Sequence, residues 1–255
     1  MSKQSRRVAR DRNEVRLRID AVTDASHRAV QRLAQLGPTA LPWADGEYRE
    51  LATKARDAGT ALFGWLHSLR DGMTAGDGAA FDQAFAFLEL DVYLFRSGYE
   101  RAKLVRALAK APMTPQQRMR ARTYVRDCID GGLHCDLRAL AMLAAAVADN
   151  PLRRDLLARL HAPDAKVVGR AVQLLCRVRH PGYSTQDLAA VRSWVLSEVA
   201  ERGASNVADR VLRWAWTPEW EAELNEIGNR HGPQRAAALT LLDLTNRRRT
   251  KRPGP

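Results

Sequence analysis

From Val8 to Leu36 an apolar residue returns every seven positions, through Val15, Val22 and Ala29, and Ile19, Ser26 and Leu33 fill the places between. Such a repeat draws one narrow seam along a helix and keeps it facing another helix. Residues 5–36 are therefore expected to form one long helix. Its other faces carry Arg6, Arg7, Arg10, Arg12, Arg16, Arg18, Arg28 and Arg32. Gly37-Pro38 ends it and Leu41-Pro42-Trp43 makes a turn. A second helix is expected from about Asp45 to Arg70, with Tyr48, Leu51, Ala55, Ala58, Leu62, Trp65 and Leu69 as its seam. Two seamed helices joined by a short turn predict an antiparallel hairpin over residues 1–71. The alternative is a homodimer through the first helix.

Helical spacing continues to the end of the chain. Helices are expected over 79–95, 99–110, 115–130, 136–149, 151–160, 164–178, 185–201, 206–214, 218–229 and 233–246. Thr114-Pro115, Asn150-Pro151 and Thr217-Pro218 read as caps followed by proline, and Pro181-Gly182, Gly203 and His231-Gly232 as stops. Gly98, after Arg96-Ser97, reads as a left-handed turn residue. The glycines of 71–78 predict a linker and a domain boundary there. No segment alternates with period two, so the expected fold class is all-α, without a sheet. Phe81, Phe85, Phe87, Leu88, Leu90, Tyr93, Leu94 and Phe95 are mostly expected in the core.

Pro163-Asp-Ala-Lys-Val-Val-Gly-Arg-Ala-Val-Gln-Leu-Leu175 resembles the second helix of a HEAT- or armadillo-type repeat. Asp164 stands at the opening position, and Val167, Ala171 and Leu175 at the places facing the core between helices. Arg170-Ala171 has weak echoes in Arg210-Val211 and Arg235-Ala236, at uneven spacing. The resemblance extends over roughly residues 97–246. It implies a HEAT-like stack over 79–246 after the hairpin, and a binding or scaffolding role without catalysis. It brings no functional residues with it.

No apolar run approaches the ~20 residues a membrane span needs. The polar start lacks a signal-peptide core, so a cytoplasmic protein without membrane contact is expected. Three cysteines, Cys128, Cys135 and Cys176, do not suggest a disulfide framework. Cys128, His134 and Cys135 lie close together, but a structural zinc site needs four ligands, commonly in two short-spaced pairs. No metal, cofactor or catalytic residue is expected. No H-E-x-x-H, Walker A, G-x-G-x-x-G or G-x-S-x-G string occurs.

Charge is the most informative remaining feature. The net charge is +12, and 35 of the 41 basic residues are arginine, a bias that a GC-rich genome also produces. Residues 96–180 hold 17 basic and 7 acidic side chains, while 37–95 hold 4 and 9. Arg101, Lys103, Arg106 and Lys110 lie on one expected helix. Arg118, Arg120, Arg122 and Arg126 lie on the next. Residues 118, 122 and 126 share a face. No acid occurs between Lys103 and Arg126, so pairing within these helices is not expected to neutralise the row. The tail 247–255, with Arg247, Arg248 and Arg249, is expected to be disordered and to add affinity for polyanions.

Trp214, Trp216 and Trp220 either stack on bases or pack the junction of two short helices. Some HEAT-like DNA glycosylases use tryptophans and an aspartate on a basic surface. Asp209 and Arg210 lie near this cluster, but no motif carries that activity over. The expected function is a non-enzymatic basic module that binds nucleic acid or a nucleoprotein through Arg101, Lys103, Arg106, Lys110, Arg118, Arg122, Arg126 and Arg247–Arg249. The alternatives are an adaptor binding an acidic protein surface and, more remotely, a DNA-base-processing enzyme.

Overall fold

The structure, a computed structural model, describes residues 3–38, 41–91, 97–131, 136–178, 184–203, 208, 211–212 and 215–251, with backbone only for 3–8, 97 and 248–251. Among these residues every regular element is a helix. Two compact units emerge, residues 1–147 and 148–255. None of the described helices is long and apolar enough to cross a membrane.

The first unit holds α1 (Lys3–Leu36), α2 (Gly46–Thr74), α3 (Gly78–Glu89), α4 (Ser97–Lys110), α5 (Pro115–Gly131) and α6 (Leu137–Val147). Helices α1, α2 and α3 pack on one another, α2 also carries α4, and α4 and α5 both lie against α6. Helix α3 is mostly apolar, with Asp82, Gln83 and Glu89 as its polar positions past the first turn. Ala80, Phe81, Ala84, Phe85, Ala86, Phe87 and Leu88 are all buried, as suits a helix enclosed by others. Each buried phenylalanine contributes roughly 1.5–3 kcal/mol. The seam of α1 is buried at Val15, Ile19 and Ala29, while Leu33 and Ser26 are exposed. Its buried part is covered by helices of the same chain.

The expected boundary at 71–78 is not where the chain divides. Helix α2 runs through Gly72 to Thr74, and the turn is made by Gly76 at φ 82°. Asp77 then caps α3 by accepting from Ala79 N. A Cβ added at Gly72 would lie 2.8 Å from the Cβ of Ala80. Glycine therefore serves a close approach of α2 and α3, inside a helix it was expected to break. The third helix stops at Glu89, and Asp91 takes the left-handed conformation (φ 45°). Gly98 was expected in that conformation but lies within α4.

The second unit holds α7 (Asn150–Ala158), a 3₁₀ turn (Arg159–His161), α8 (Ala165–Leu175), α9 (Thr185–Arg202), α10 (Pro218–Asn229) and α11 (Arg235–Lys251). Helices α7 and α8 pack together, α9 meets α8 and α11, and α10 lies on α11. Asp149 caps α7, one residue before the expected Asn150, whereas Thr217 caps α10 as expected. Asp164 caps α8 by accepting from Lys166 N, and Val167, Ala171 and Leu175 are buried. A Cβ at Gly169 would come within 3.0 Å of the Trp194 ring, so the absent side chain lets α9 approach α8. Residues 206–207, 209–210 and 213–214 of the expected tenth helix lie outside the described residues.

The last helix reaches into the residues expected to form the tail. Helix α11 continues to Lys251. Asp243 pairs with Arg247 one turn on, at 2.7 Å, and such an i,i+4 pair supports a helix by a few tenths of a kcal/mol.

Candidate nucleic-acid interface

Arg101 leaves the expected interface. Its side chain is 1% exposed and lies 2.9 Å from Asp91 Oδ1. One guanidinium nitrogen donates to the Leu88 carbonyl at 2.7 Å. That carbonyl belongs to the last turn of α3, where backbone oxygens lack helical partners and favour a cation. Arg101 thus closes the end of α3 from within and cannot reach a phosphate outside.

Helix α4 turns Lys103, Arg106 and Lys110 toward Arg70 and Thr74 of α2. Together with Ala107 and Ala111 they line a pocket of about 310 Å³. No carboxylate lines it. The spacing explains the arrangement, because 103, 106–107 and 110–111 share one face of a helix. Acids reach two of the cations, one of them from within α4 itself, so the expectation of no pairing inside these helices fails at Lys103. Lys103 lies 2.8 Å from Glu100 and 4.2 Å from the centre of the Tyr99 ring, and Arg106 is 3.4 Å from Asp136. Among the described residues no acid pairs with Lys110 or Arg70. Arg70 Nη2 contacts His67 Nδ1, and Arg70 Nε is closed off from solvent without an acceptor. The Thr74 hydroxyl donates to the Arg70 carbonyl at 2.9 Å. Lys110 stands in the last turn of α4, where a cation contributes ~0.3–1 kcal/mol against the helix dipole.

Arg70 and Thr74 were not anticipated as pocket residues. The second helix was expected to end at Arg70, leaving Thr74 in a linker. The i,i+4 pair Leu69 and Met73, both buried, was the available signal that α2 continues.

Helix α5 distributes its arginines differently. Thr114 and Gln117 open it with a reciprocal cap, Thr114 N donating to Gln117 Oε1 at 2.8 Å and Gln117 N to Thr114 Oγ1 at 3.3 Å. Arg120 turns inward. It lies over the Phe85 ring and makes two bonds to Glu89, at 2.7 and 3.0 Å, with Asp82 at 3.5 Å. Arg12 of α1 reaches the same Glu89 at 2.9 Å. Burial pushes the Glu89 carboxyl up, but the bonds from Arg120 and Arg12 outweigh it and hold the group below its usual range. Arg118 is exposed, 3.5 Å from the Ala146 carbonyl, and Arg122 and Arg126 are half-buried. None of these three lines the α2–α4 pocket.

A larger hollow of about 600 Å³ lies among Arg12, Glu89, Thr123, Tyr124, Asp127, Asp130 and Gly131. Its carboxylates make it unsuited to an anion. In the second unit Arg247 is paired with Asp243, and Arg248 and Arg249 are described by backbone alone within α11. Trp220 is 2% exposed. It packs 5.6 Å from the Trp216 ring, with the Arg192 guanidinium 5.3 Å from its own ring. Trp220 is therefore core and offers no face to a base. Trp214, Asp209, Arg210, His134 and Cys135 lie outside the described residues; Cys128 is buried and Cys176 half-buried.

Comparison with family models, with curated proteins and with solved structures gives no match for this chain.

Proposed function

We propose that the chain is a non-enzymatic, basic helical module that binds nucleic acid or a nucleoprotein through phosphate groups, built as an N-terminal antiparallel hairpin followed by a HEAT-like stack. The observation that carries this reading is the α2–α4 pocket, whose charged lining is four cations and no carboxylate. Phosphate contacts position a nucleic acid without reading its sequence, and they need no catalytic group. Exposed Arg118 extends the cationic supply of the same unit on α5.

The test is fluorescence anisotropy of the full chain with labelled single- and double-stranded oligonucleotides across a salt series. Affinity should fall by roughly one log unit per log of salt for each phosphate neutralised. Changing Arg118, Arg122 and Arg126 together to Gln should weaken binding to all sequences and flatten that slope. Absence of binding at low salt would remove the reading. The adaptor reading would then take its place. It is favoured by Leu41 and Trp43, which stand 78% and 68% exposed near the connection between α1 and α2; large apolar residues of that exposure suit a protein contact.

A further inference from the structure

We infer that the α2–α4 pocket is a site for a phosphomonoester, the dianionic group at the end of a nucleic-acid chain or on a free nucleotide. This inference rests on the reading just given but specifies the group recognised.

Shape is the first argument. A diester backbone lying along a surface meets cations spread over its length. Here Arg70, Lys103, Arg106 and Lys110 converge on one hollow of about 310 Å³. That is near the lower limit of small-ligand sites, about 300 Å³, and suits a phosphate with its adjoining sugar better than a stretch of chain.

Charge is the second. Glu100 and Asp136 already face Lys103 and Arg106. Arg70 and Lys110 have no acid partner among the described residues, so two positive charges are left over. A phosphomonoester carries about −1.5 to −2 at neutral pH, whereas a diester or carboxylate carries one charge. Arg70 supplies a guanidinium charge, one nitrogen of which already contacts His67, and Lys110 a mobile point charge.

The surroundings favour the same ligand. Ala107 and Ala111 add short apolar lining that leaves room in the pocket, and apolar surroundings strengthen charge interactions. The Thr74 hydroxyl is occupied by the Arg70 carbonyl, leaving recognition to the cations. One opposing feature is that the pocket lies toward the ends of α2 and α4, where backbone carbonyls repel anions. Offsetting those carbonyls is the competing role for these cations, and it predicts no phosphate dependence.

The experiment uses the full chain and one oligonucleotide, labelled internally, bearing a phosphate at its 5′ end, at its 3′ end or at neither. A terminal phosphate should raise affinity about tenfold, equivalent to about 1.4 kcal/mol. Arg70→Gln and, separately, Lys110→Gln should each remove most of that gain, so that within each variant the phosphorylated and phosphate-free oligonucleotides bind almost equally. Lys110 is exposed, so its variant serves even where Arg70→Gln does not fold. Inorganic phosphate should raise the melting temperature of the parent chain more than that of either variant. Competition by a nucleoside monophosphate would assign the site to free nucleotide, and failure of that competition with the tenfold gain intact would assign it to chain ends. Equal binding of all three oligonucleotides with no response to phosphate or nucleotide overturns the inference while nucleic-acid binding stands. No oligonucleotide binding, with phosphate and nucleotide still stabilising the parent chain alone, overturns the broader reading and supports the pocket. A terminal-phosphate gain unchanged in both variants also overturns the inference.

Discussion

On α4, Lys103, Arg106 and Lys110 face α2 across a pocket without carboxylates; on α5, Arg120 folds over Phe85 onto Glu89 and Asp82 of α3. The two helices follow one another in the chain with no acid between Lys103 and Arg126, and nothing local separates their arginines. The difference comes from what each helix lies against. Helix α3 presents carboxylates at 82 and 89, and the Arg120 face of α5 meets them. The end of α2 presents Arg70, and the α4 face meets another cation. A basic side chain facing acids becomes part of the fold. One facing other cations keeps charge for a partner.

The comparison breaks most readily at Arg101, on α4 itself. Arg101→Ala should cost about 3–5 kcal/mol in urea unfolding, because it strips a sealed cation from Asp91 and from the end of α3. A loss under about 1 kcal/mol would show that Arg101 is not a structural group.

Arg120→Met should cost on the order of 2 kcal/mol, since it removes charge-assisted bonds to a half-buried Glu89. Its affinity for an oligonucleotide should stay unchanged. A variant of full stability with weakened binding would place Arg120 on the partner surface and collapse the contrast between the two helices.

Acid should act on the same bond. The Glu89 carboxyl sits below its usual range when folded, so its stabilisation is complete above the unfolded value of about 4.3 and disappears as pH falls through the folded value. Melting curves of the parent chain and Glu89→Gln should therefore differ at pH 7 and converge below about pH 4. A gap that widens toward acid would reverse the sign of the assignment.

The smallest stability effect is expected at Lys110, where Gln should change unfolding by no more than ~0.5–1 kcal/mol, through the lost favourable charge at the α4 terminus. Its binding effect should exceed its stability effect, the opposite of Arg120. Equal and small effects on both would return Lys110 to a solvated cation.

Much of the helix order was legible in the chain because helical spacing and terminal signals are local. Thr217-Pro218 starts α10 at the expected residue, since the hydroxyl that caps and the ring that cannot donate sit side by side. Boundaries went astray where a contact between two helices decided them. Gly72 reads as a helix breaker until Ala80 is found within 2.8 Å of its absent Cβ. The seam of α1 was visible, but not that Val15 and Ile19 would be buried while Leu33 stays exposed.

The sequence by itself determined an all-helical chain with a basic middle, because period and net charge are sums over neighbouring residues. Only the tertiary structure decided which cations are spent inside. Glu89 lies 31 positions from Arg120 and Asp136 lies 30 from Arg106, distances along the chain that no local pattern spans. A charge is neutralised by whatever stands within a few ångströms, and that neighbour is chosen by packing.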